Sequence, residues 1–104
     1  MARFIGTGGV LPTVAAPFDS GARESELADR LTGLIFSDKS GNLLIDQSID
    51  GTNWDVTQTL AVVGGTGQGF SVELLAPYYR VRFVPSADTT VFRLAARLAS
   101  AGAR

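Results

Sequence analysis

The chain has 104 residues, 45% of them hydrophobic, nine Lys and Arg against ten Asp and Glu, and neither cysteine nor histidine. That length sets one domain with a modest core, and the missing side chains exclude disulfides and thiolate- or imidazole-held metals as extra support for it. A net charge of −1 without a Lys/Arg-rich run argues against a nucleic-acid partner, and no apolar stretch approaches the roughly 20 residues that span a bilayer.

Residues 1–18 show neither a period of 2 nor one of 3.6 and are interrupted by glycines and prolines, which predicts an extended N-terminal arm. Phe4, Ile5, Val10, Leu11, Val14 and Phe18 are apolar enough to need cover, so the arm is expected to order against a partner. Gly6-Thr-Gly-Gly9 lacks both the Gly-Lys-Ser/Thr ending and the preceding strand of a phosphate loop. The first residues also lack the continuous apolar segment of a signal peptide, so synthesis in the cytoplasm is expected.

Residues 19–104 read as a single β domain. Ser20 to Asp29 is compatible with one helical turn or an exposed strand edge. From Leu31 to Ser37 the pattern is extended, bounded by an Asp38-Lys-Ser-Gly41 turn in which Gly41 takes the left-handed position. Leu43 to Ile49 then leads through Asp50-Gly51, a hairpin signal, to Trp54, the chain's only tryptophan, and on to Val56–Val63. There Thr57, Thr59 and Ala61 fall on one face and Val56, Leu60 and Val62 on the other.

Gly64-Gly-Thr-Gly-Gln-Gly69 does not match the G-x-G-x-x-G spacing and precedes a strand, so a hairpin loop is the better reading. Phe70, Val72 and Leu74 alternate with Ser71 and Glu73, and Tyr79, Val81 and Phe83 alternate with Arg80 and Arg82. Pairing these two runs across a Leu75–Tyr78 loop sets Glu73 against Arg80. The last strand, Thr90 to Leu98, turns Phe92, Leu94, Ala96 and Leu98 inward and Arg93 and Arg97 outward. Simple pairing would oppose Arg82 and Arg93, a like-charge contact, so Val84–Thr89 is expected to carry the chain to a second sheet or shift the register. About six strands with turn residues between them describe an all-β, antiparallel β-sandwich, jelly-roll-like, or alternatively an open barrel.

Asp46, Ser48, Asp50, Gly51, Asn53 and Asp55 begin like a calcium loop, but position 12 is Thr57 where a bidentate Glu is required. The other reading has these side chains serving the turn's own N–H groups. Trp54 is either a packed edge residue or a stacking platform for a sugar ring. Without histidine or cysteine, and with Lys39 the only lysine, a nucleophile or general base has little to work with, and no enzyme activity and no cofactor are expected.

Charge is unevenly spread: Asp19 to Asp55 holds eight acidic residues, while from Tyr78 onward there are five arginines and one aspartate. Either acidic and basic strands neighbour each other within the fold, or Arg80, Arg82, Arg93 and Arg97 make polar contacts between subunits.

Gly33-Leu-Ile-Phe-Ser-Asp-Lys-Ser-Gly-Asn-Leu-Leu-Ile-Asp-Gln-Ser-Ile-Asp-Gly-Thr-Asn-Trp54, followed by Pro77-Tyr-Tyr-Arg-Val-Arg-Phe83 and Val91-Phe-Arg-Leu94, resembles small β-sandwich modules of tailed-bacteriophage virions. The resemblance covers about residues 31–98 and implies a structural virion component: a capsid decoration (cement) protein, or a fibre or baseplate module. It carries no catalytic residues. On the decoration reading the chain is a homo-oligomer, with a trimer expected from the resemblance, that binds the major capsid protein through its arm and resides in the virion. The alternative is a glycan-binding or structural module of a tail fibre or baseplate, using Trp54.

Overall fold

The structure, a computed structural model, describes residues 4–6, 11–25 and 28–99. Val10, expected in the docking arm, and the tail beyond Ala99 lie outside these. The described residues form nine strands: β1 (Phe4–Gly6), β2 (Phe18–Asp19), β3 (Arg23–Glu24), β4 (Arg30–Ser37), β5 (Gly41–Ser48), β6 (Val56–Val62), β7 (Gln68–Glu73), β8 (Tyr78–Pro85) and β9 (Phe92–Ala99). They make two antiparallel sheets, β1-β9-β4-β7 and β2-β8-β5-β6, with β3 also paired to β8. Set face to face, these paths have the strand order of a jelly roll.

The core follows from the period-2 patterns. Leu31 and Ile35 of β4, Leu43 and Ile45 of β5, Val72 of β7, Tyr79, Val81 and Phe83 of β8, and Phe92, Leu94, Ala96 and Leu98 of β9 are all buried. Alternating residues of a strand point to opposite faces, so each sheet lends one face to the interior. The Phe83 and Phe92 rings meet across it, centroids 5.2 Å apart, and Phe18 of β2 joins Phe92 at 5.9 Å.

Four sequence expectations are corrected here. The runs around Phe70 and Phe83 do not form a hairpin: β7 pairs with β4, setting Glu73 opposite Arg30, while β8 pairs with β5, setting Arg80 opposite Asp46. Buried Gln47 explains how the intervening turn crosses between sheets, because its Oε1 accepts the N–H groups of Leu75 and Ala76 at 2.7 and 3.2 Å and its Nε2 donates to the Glu73 carbonyl at 2.9 Å. The Gly64–Gly69 loop likewise passes from one sheet to the other, with Gly65 at φ 82°.

Gly41 is not left-handed. It opens β5 where an added Cβ would lie 2.4 Å from the Val84 carbonyl oxygen, so it is there for close approach. Finally, the arm boundary at residue 18 falls inside a sheet: Phe18 pairs with Phe83, and Phe4–Gly6 pairs with Arg97–Ala95 on the edge of the first sheet. The expected crossing at Val84–Thr89 is observed, with β8 and β9 in different sheets.

Candidate interaction surfaces

On the outer face of the β8-β5 sheet, strand alternation places Asp46 beside Arg80 and Thr57, its cross-strand partners, and diagonal to Arg82. The Asp46 carboxylate accepts Arg80 Nε at 2.6 Å, Arg82 Nε at 2.7 Å and the Thr57 hydroxyl at 2.6 Å. Those side chains cover it so fully that a charge on the outside of a sheet is buried. Burial pushes the Asp46 carboxyl up, but the hydrogen bonds from Arg82, Thr57 and Arg80 outweigh it and hold the group below the ordinary carboxylate range. The bond to Asp46 raises Arg82 in turn.

Trp54 roofs the cluster, its ring centroid 4.3 Å from the Arg80 guanidinium carbon. One face of the only tryptophan is therefore occupied by a cation. Arg80 and Arg82, expected to reach toward another subunit, are committed within their own chain, because Asp46 stands next to them in the register.

The turn below serves its own backbone. Asp50 Oδ1 accepts the N–H groups of Thr52 and Asn53 at 2.9 and 2.8 Å, and Asp55 Oδ2 accepts that of Ile49 at 3.0 Å. These bonds, led by the Asn53 N–H, hold the Asp50 carboxyl well below the usual range, while Gly51 supplies the φ of 81° that closes the loop. Among the described residues no three acidic side chains converge as a metal group.

The outer face of the other sheet is different in kind. Leu34 stands between Gly69 and Ala95 across the register, so neither neighbour has a side chain long enough to cover it, and it is 66% exposed. Shallow apolar grooves of about 660 and 450 Å³ run beside it, bordered by Thr32, Ser71 and Arg97 on one side and Phe36 and Arg93 on the other. Arg93 lies over the Phe36 ring at 4.6 Å. The four arginines thus divide between opposite faces of the sandwich and do not form one surface. Sequence patterning shows Arg93 and Arg97 facing outward; what it misses is Leu34, visible only as an apolar residue out of phase with Leu31 and Ile35. Of the arm residues, Phe4 and Ile5 lie in β1, Phe18 packs on the core, and Leu11 and Val14 are exposed beside buried Pro12, whose carbonyl accepts the Thr89 hydroxyl at 2.7 Å.

The model of the family described as uncharacterised protein YqxG N-terminal domain matches residues 11–101. The chain belongs to that family. No curated protein matches this YqxG N-terminal domain. Among solved structures it is similar to the one titled "Crystal structure of PBSX exported protein XepA", with a TM-score of 0.83 and 19% sequence identity. That match covers all of this chain and 38% of the other, so the chain spans well under half of its structural relative. At that identity the likeness bears on the fold, and it supports the two-sheet sandwich described above.

Proposed function

We propose that this YqxG N-terminal domain is a phage-related structural module that works by gripping a neighbouring protein, and that its finer role is to decorate an assembled particle. The observation that carries this reading is the open Leu34 face, apolar at its centre and bordered by Arg93 and Arg97. Interfaces have this anatomy, an apolar core with a polar rim enriched in arginine. A partner with an apolar ridge and acidic flanks fits it. A module that binds only the assembled state stabilises that state by mass action, so no catalytic group is required. The structural relative's title, an exported protein, supports a destination on a particle or outside the cell.

The glycan reading has less support, since Arg80 occupies one face of Trp54. The test is mass spectrometry of purified particles from cells making the chain. The reading predicts the chain in constant ratio to the major shell protein; its absence from washed particles would overturn it.

A further inference from the structure

β6 is an outer strand of its sheet, paired only with β5. Its residues, Val-Thr-Gln-Thr-Leu-Ala-Val, include no charge, proline or glycine, and Val56 at its start is 52% exposed. Edge strands are normally blunted by charge, proline, bulges or brevity, because bare backbone is a template for pairing. The other described edges conform: β2 and β3 are two residues each and carry Asp19, Arg23 and Glu24, β1 is three residues, and β7 contains Gly69 and Glu73.

Gln68 shows which β6 groups are bare. Its Oε1 accepts the Val63 N–H at 2.8 Å and its Nε2 donates to the Ala61 carbonyl at 3.0 Å, so residues 61 and 63 turn their main-chain groups away from β5. In an antiparallel pair this direction alternates along the strand. Thr57 and Thr59 therefore also point outward, while Gln58, Leu60 and Val62 face Ile45, Leu43 and Gly41. Gln68 plugs one end of the edge. At the other end the Asp55 N–H is committed to the Gln47 carbonyl at 2.9 Å.

We propose that β6 pairs with β6 of a second copy, antiparallel about a two-fold axis through Gln58, joining the two sheets into one. Thr57 of each copy exchanges both main-chain bonds with Thr59 of the other, and Val56 lies across the seam from Leu60. Sliding the register one way requires the Ala61 carbonyl, held by Gln68, and sliding it the other way requires the Asp55 N–H, held by Gln47. The occupant is a second copy because the edge offers only main-chain groups and uncharged side chains, and the described strand that matches those terms is β6 itself. An isologous contact of this kind closes at the dimer, not at the trimer that the sequence resemblance implies.

The absence of native cysteine makes the test direct. Directly opposed residues of a non-hydrogen-bonded pair lie about 4.5 Å apart at Cα, within disulfide range. Mild oxidation of Gln58→Cys is expected to give a covalent dimer, whereas Ala22→Cys, exposed on the far side of the sheet, stays monomeric. In sedimentation the unmodified chain should dimerise with concentration. Gln58→Lys and Gln58→Glu should each be monomeric, and mixing them should restore the dimer, which misfolded variants cannot do. A wild-type monomer at every concentration, cross-linking of Gln58→Cys no faster than of Ala22→Cys, or undiminished dimers of Gln58→Lys would overturn the proposal. These measurements use purified chain alone, so their failure is distinct from absence of the chain from particles.

Discussion

Arg80 stacks on Trp54, its guanidinium carbon 4.3 Å from the ring centroid, while the same side chain donates Nε to Asp46 at 2.6 Å. The tryptophan thus shields an ion pair from water on the outside of a sheet, where such a pair is ordinarily solvated. Removing it in Trp54→Ala loses the cation–π contact and exposes the cluster. The expected loss is about 1–2 kcal/mol, read as a lower urea midpoint with an unchanged m-value.

Asp46→Asn keeps the shape but leaves two arginines facing each other without a counter-charge. Removing one partner of a buried pair costs about 3–5 kcal/mol. The Arg80 and Arg82 side chains are 24% and 30% exposed, which brings the expectation down to about 2–3 kcal/mol. Equilibrium denaturation of the variant beside Arg80→Gln checks it, and the Asp46 variant should be the weaker, since Arg80→Gln leaves the carboxylate its bonds from Arg82.

Acid should destabilise the domain through the same group. The Asp46 carboxyl is held low by bonds that outweigh its burial, Asp38 by the Thr90 hydroxyl and the Val91 and Thr90 N–H groups, and Asp50 by the Asn53 and Thr52 N–H groups. A depressed carboxyl contributes stability that is fully present above its unfolded pKa of about 4 and is lost as pH falls through the folded value. Urea midpoints should therefore be level from neutral pH to about 5 and decline below about 4. In Asp46→Asn the decline should be shallower.

Much of the fold was legible in the sequence because alternation alone assigns faces: Phe92, Leu94, Ala96 and Leu98 are buried, and Arg93 and Arg97 are exposed. Pairing was less legible. Glu73 and Arg80 satisfy a hairpin's charge rule, yet each finds another partner in a different sheet, and the side chain that permits the crossing, Gln47, carries no local signal. The arm was misread for a related reason. Short segments such as Phe18–Asp19 have no measurable period, and only the unpaired flank of β8 makes them strands. The contrast between the arginine pairs was equally invisible, since it depends on whether an acid stands next in the register.

Gly33 lies mid-strand where propensity disfavours glycine, and the structure shows why it is tolerated. A Cβ there would sit 2.2 Å from the Ala95 carbonyl oxygen and 2.8 Å from the Phe70 ring. Backbone cannot swing aside as a side chain can, so Gly33→Ala forces β4 and β9 apart and should cost about 1–3 kcal/mol. Gly67→Ala, with open space around it, should be near neutral; thermal unfolding of the two variants separates them.

Leu34 is the decisive position for the claim that this domain acts through a surface. Being 66% exposed, Leu34→Asp should leave folding within about 0.5 kcal/mol of wild type. The measurement is the amount of variant retained on purified particles relative to wild type, with unfolding midpoints recorded in parallel. The account predicts an intact fold and loss of most particle association; equal retention of the variant would contradict it.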